Sequence, residues 1–291
     1  MRFICLFFLW LAALQITKAS VPEIVRPDYQ MCTLRTLQLL EKPESVIQTG
    51  GTCGMAAMLS LLAEHAPIKL MKLNELIFNN EVVLKTLEGF VAQMEKEGEV
   101  LSEVAKCDFI LARGMMELLR ETSQGELFYK DALKFLGEFT QWAKIFKNGT
   151  RGDLALRETH IEALLLYFGA NATIVQSKGN NNTQDGFVPK WHEQINRCLS
   201  NRSVCPEPVV LAAVNGYSNM IWYNLVSSPY VRSAADPRFT HWIVIRDEIT
   251  LKNGIYTITT WSWSRRHVLH VSQDVIDTYF IAGVYGSFDK K

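Results

Sequence analysis

Several things are missing from this sequence, and each absence removes a class of function. Lys and Arg total 30, as do Asp and Glu, so the formal net charge is zero; a nucleic-acid partner calls for a basic surface, and none is expected. Beyond the N-terminus no apolar run reaches the roughly 18 residues that a membrane helix needs, so no stable membrane span is expected in the mature chain. Neither Cys-x-x-Cys nor His-Glu-x-x-His occurs. His267 and His270, three apart on a strand-like run, face opposite sides, so no metal site and no cofactor is expected. No period of roughly 20–50 residues emerges, which argues against a repeat array. What remains is a chain of 291 residues, 48% of them hydrophobic, enough for a sizeable core in one large domain or two small ones.

The N-terminus predicts an export signal over residues 1–19. Arg2 precedes the apolar run Phe3 to Leu14, and Thr17-Lys18-Ala19 supplies a small residue at a cleavage point. The mature protein, residues 20–291, is then expected outside the reducing cytosol, secreted or periplasmic. Removing Cys5 leaves Cys32, Cys53, Cys107, Cys198 and Cys205. That number is odd, so an oxidising compartment should leave one thiol over. Four cysteines allow three pairings; the favoured one joins Cys198 to Cys205 across a short polar loop and Cys32 to Cys107, leaving Cys53. Acceptor triplets for N-glycosylation occur at Asn148, Asn171, Asn181 and Asn201, which matter in a eukaryotic source.

Along the chain, Pro22 to Pro43 is expected as an extended arm with a short helix around Thr33 to Leu40. A helix from about Cys53 to Ala66 follows. Residues 68 to about 147 read as all-helical, with segments Leu73–Lys96, Glu103–Arg120 and Asp131–Lys147. Met115 and Met116 belong to its core. From residue 155 helices and strands mix. Leu156–Phe168 and Pro189–Leu199 are predicted helices, Ala172–Gln176 and Pro208–Val214 strands, and Lys178–Asp185 a flexible polar loop. Strand-like runs Thr240–Asp247 and Ile255–Trp263 are joined at Asn253-Gly254, a hairpin signal. His267–Val271, a helix Ser272–Tyr279 and a strand Ile281–Tyr285 complete an α+β architecture with an antiparallel sheet.

The stretch Gln48-Thr49-Gly50-Gly51-Thr52-Cys53-Gly54 places a cysteine at the first turn of an apolar helix. Unpaired N–H groups and the positive helix end favour its thiolate, which is the nucleophile. Glycines on either side leave room for a substrate backbone, and Gln48 has an amide to offer a developing oxyanion. The plainer alternative is a loop-to-helix junction that buries a cysteine. A nucleophilic thiol wants an imidazole within reach. His65 lies about three turns along the same helix, too far, and His160 and His192 are expected to be solvated. His241 opens the apolar strand His-Trp-Ile-Val-Ile after a loop containing Asp236-Pro237, at a sheet edge where a cleft would lie; its alternative is a histidine at the edge of the core.

Gln, then Gly-x-Cys-Gly before an apolar helix, then a late His-Trp-hydrophobic strand: this order resembles papain-like cysteine peptidases, and most closely the branch that cleaves double-glycine bacteriocin leaders. The resemblance covers about residues 45–66 and 155–285. It implies a single papain-like catalytic domain with an all-helical insertion at about 68–150, acting on a peptide or protein substrate. Cys53 would attack the carbonyl, His241 would move the proton, and Gln48 with the Cys53 backbone N–H would hold the oxyanion. Gln48 stands five residues before Cys53, where the family usually has six. The family also orients its histidine with Asp or Asn at the end of the next strand. Here that strand ends Thr259-Thr260-Trp261-Ser262-Trp263, and Ser262 is the candidate orienter. Two alternatives stay open: acyl transfer to an amine, as in transglutaminases, and an exported, non-catalytic binding protein on a degraded peptidase fold.

Overall fold

The computed structural model describes residues 27–49, 52–122, 125–138, 156–175, 190–215, 240–262 and 264–289. The expected signal, Gly50, Gly51, Asn148, Asn181, the 178–185 loop, Asp236-Pro237 and Trp263 lie outside them, as do residues 139–147 of the last insertion helix.

Helices come first. α1 spans Pro27–Glu41, α2 Cys53–His65, α3 Pro67–Asn79, α4 Glu81–Lys96, α5 Glu103–Arg120 and α6 Gly125–Glu138, with a 3-10 turn at Pro43–Ser45. α1 corrects the expected extended arm. Its first residue, Pro27, sits where a missing N–H costs nothing. Three anchors then hold the helix: the Cys32–Cys107 disulfide to α5, the buried Arg35–Asp108 ion pair at 2.7 Å and Leu39 in the core. The predicted helix Leu73–Lys96 is two helices, α3 and α4. Asn80 parts them: its side chain accepts the Val83 N–H at 3.1 Å and so caps α4, ending the preceding helix in favour of a new one.

α7 (Glu158–Tyr167) leads into β1 (Ala170–Val175), and α8 (Trp191–Ser200) into β2 (Glu207–Asn215). β3 (Thr240–Ile245), β4 (Thr250–Lys252), β5 (Ile255–Ser262) and β6 (Arg265–Ser272) follow, then α9 (Gln273–Tyr279) and β7 (Phe280–Phe288). All pairings are antiparallel; the order is β1-β7-β2-β3-β5-β4, with β6 also on β5. The expected hairpin is there with its first arm in two pieces. Asn253 and Gly254, at φ of 53° and 75°, turn the chain between β4 and β5. Between β3 and β4 the register on β5 slips by two residues, from Ile245↔Thr260 to Thr250↔Thr257. Asn196 of α8 pins that irregularity, its side chain bonding both the N–H (2.8 Å) and the carbonyl (2.7 Å) of Ile249.

Both sheet faces are covered. Val209, Leu211, Ala213, Trp242, Val244 and Trp261 meet α2 and the helical layer in one core. Val210, Ala212, Val214, Ile243 and Ile258 face a second core that includes Trp191 and Ile195 of α8 and Ile276 and Tyr279 of α9. A strand buried on both faces has no polar side, which explains the unbroken apolar run Pro208–Val214. Among the described residues no helix is long and apolar enough to cross a membrane.

Candidate active site

Cys53 is the first residue of α2, and Thr52 provides no side-chain cap, since its hydroxyl goes to the Thr49 carbonyl at 2.6 Å. The positive end of the helix therefore falls at the thiol. Cys53 is half-buried and outside both disulfides, Cys32–Cys107 and Cys198–Cys205, which form as favoured. Gly54 brings this turn against its neighbours. A Cβ there would lie 2.9 Å from Leu156 Cδ1 and 3.2 Å from both Ile161 Cδ1 and Trp242 Cδ1. Trp242 is fixed in turn by its indole N–H on the Leu156 carbonyl at 2.8 Å. The helix start thus packs on the residue next to His241.

His241 is buried, and its Nε2 is hydrogen-bonded to the Ser262 hydroxyl. The pairing follows from register. Val244 faces Trp261 across β3 and β5, so Ile243 and Ser262 share a face, with His241 its diagonal neighbour. That face is the one of the second core: His241 pairs with Val214 and Trp242 with Ala213. The pleat turns Trp242 toward α2 and His241 to the other side, and Cys53 packs against the first core. His241 is the second residue of β3, at the strand's N-terminal end. Burial pushes the His241 pKa down to about 3, so the ring is neutral near pH 7.

The segment leading to Cys53 is clamped on two sides. Trp261 Nε1–H donates to the Glu44 carbonyl at 2.8 Å, and the Ser264 hydroxyl donates to the Val46 carbonyl. From the helical side Arg35 donates to the Ser45 carbonyl, and Asp108 accepts the Ile47 N–H, each at 2.7 Å. Burial pushes the Asp108 carboxyl up, opposed by Arg35 and the Ile47 N–H. Gln48, half-buried, is the next residue. Consecutive residues of β5 therefore serve both halves of the candidate site: Trp261 holds the segment before the cysteine and Ser262 holds the histidine. Sequence reasoning missed Trp261, Arg35 and Asp108. Asp108 left one trace, a charge set inside the apolar stripe of α5.

Three of the other histidines are engaged away from Cys53. His160, expected to be solvated, is fully buried. Its Nδ1 accepts the Arg157 N–H at 2.9 Å and its Nε2 lies 3.0 Å from Asp131, so it ties α7 to α6. Burial lowers its pKa and Asp131 opposes that. His192, also expected in solvent, is half-buried with its ring against Tyr256 (5.2 Å) and Trp191 (6.1 Å). His65 pairs with Glu207 at 3.1 Å at the far end of α2. Among the described residues no cluster of His, Cys, Asp and Glu could hold a metal. A cleft of about 560 Å³, lined by Glu41 to Ser45, Glu64 and Ser264, also lies toward the far end of α2, not at Cys53. Compared with protein-family models, with curated proteins and with solved structures, the chain matches none. The class that fold and site define is an α+β protein with, among the described residues, two disulfides and one further cysteine at a helix start, a pattern compatible with an extracellular or periplasmic location.

Proposed function

We propose that the chain is an exported cysteine peptidase of papain-like fold, acting on a peptide or isopeptide bond through Cys53 and His241. The observation that carries the reading is the His241–Ser262 hydrogen bond, at the start of the strand on which the Cys53 helix packs. With Nε2–H donated to Ser262, Nδ1 is the nitrogen that takes the thiol proton. Cys53 Sγ attacks the carbonyl carbon, and Gln48 and the Cys53 N–H bind the oxyanion. The proton on His241 then passes to the leaving amine, and a thioester remains. Water cleaves the thioester, releasing the acid and restoring the thiol; an amine in its place would make the same intermediate an acyl transfer.

The test is intact-mass analysis of the secreted protein after brief incubation with a mixed peptide pool, with and without a simple primary amine. An acyl adduct on Cys53 that decays to free acid, absent from Cys53→Ser, supports the peptidase. Decay only with the amine present supports transfer.

The second reading is a non-catalytic binding protein on the same fold. It is favoured by the burial of His241 and by the pleat, which turns the ring to the face opposite α2. An imidazole with a pKa of about 3 is a weak base. No adduct with any peptide, together with slow alkylation of Cys53, would select it.

A further inference from the structure

The loop after α8 is organised by its own residues. Cys198 and Cys205 close it, seven positions apart. Asn201, Arg202, Ser203 and Val204 between them are all exposed. The Asn201 carbonyl accepts the N–H groups of both Val204 and Cys205 at 2.9 Å. Its side-chain Oδ1 accepts the Ser203 N–H at 3.0 Å, an Asx turn. That turn folds the asparagine amide back over the Asn-Arg-Ser triplet and leaves Nδ2 on the opposite edge of the planar group. Every one of these contacts is local, so the conformation does not wait for the sheet to form.

The other described triplet, Asn171-Ala172-Thr173, lies in β1. There the Asn171 Oδ1 accepts the Ser287 N–H of β7 at 2.8 Å. Its threonine is two residues along an extended strand, about 7 Å away, so no turn joins amide to hydroxyl.

We propose that Asn201 carries an N-linked oligosaccharide. Asn201 Nδ2 attacks the anomeric carbon of an oligosaccharide held on a polyprenyl diphosphate. The C–N bond forms as the C–O bond to phosphate breaks, the polyprenyl diphosphate leaves, and one amide proton passes to the transferase. The inference rests on export of the chain and is independent of the thiol chemistry.

The full chain is expressed with its own N-terminus in eukaryotic secretory cells and collected from the medium. It is treated with peptide N-glycanase in heavy-oxygen water, and the peptide spanning Cys198 to Cys205 is sequenced by mass spectrometry. The expected result is conversion of Asn201 to labelled Asp. The intact mass should fall by one glycan in Asn201→Gln and Ser203→Ala, and the glycan should persist in Ser203→Thr. Secreted protein with Asn201 unconverted, a Ser203→Ala mass unchanged apart from the substitution, or a chain that never reaches the medium would each overturn the proposal.

Discussion

His241 is where stability and the proposed chemistry meet in one side chain. Below pH 6.5 the unfolded chain binds a proton on this ring, whereas the folded chain binds none until about pH 3. Stability from this group is therefore complete above 6.5 and is lost as the pH falls toward 3. His65 and His160, both lowered by burial, act in the same direction. Urea midpoints at pH 7 and pH 4.5 check this: the wild-type midpoint should drop clearly, and His241→Asn should show a smaller drop. Ser262 contributes one hydrogen bond to that ring, so Ser262→Ala should slow Cys53 chemistry by about tenfold, the kinetic equivalent of about 1.4 kcal/mol. The helix start at Cys53 and the His241–Ser262 contact were legible because residue type, neighbours and strand position mark them. Trp261 was not, since an indole N–H on the Glu44 carbonyl joins residues 217 apart and leaves no local pattern.

Among the elements, α1 and α5 depend on each other. The Cys32–Cys107 disulfide closes a separation of 75 residues, worth about 4.5 kcal/mol in the chain-entropy model. Cys32→Ser with Cys107→Ser should lose an amount of that order in chemical denaturation. Asp108→Asn leaves the Arg35 guanidinium buried without its carboxylate and should cost about 3 kcal/mol. It should also loosen residues 45–47, which hydrogen exchange at the Ile47 amide would register as faster exchange. The length of α1 was hidden because those two long-range anchors, not its helical propensity, stabilise it. The α3–α4 break was readable in principle from Asn80 followed by Glu81, a cap signal that the continuous apolar spacing masked. The hairpin at Asn253-Gly254 was legible because its turn chemistry is local. Its slipped first arm was not, because Asn196 of α8 imposes the slip from elsewhere in the chain.

Over the whole molecule, the sheet separates two cores, and the candidate site lies where α2, α7 and the start of β3 converge. The α+β class was legible from the shift from helical to mixed periodicity near residue 155. The assignment of His241 to the second-core face depends on which residues of β2 and β3 pair, and no single segment encodes that. The peptidase account requires the Cys53 thiol and the His241 ring to work as a unit despite the pleat, and the rate of iodoacetamide alkylation at Cys53 in the native protein at neutral pH reads that coupling most directly. The account predicts fast labelling at Cys53, slowed at least about tenfold by His241→Ala, the equivalent of 1.4 kcal/mol. Slow labelling that His241→Ala leaves unchanged would contradict it.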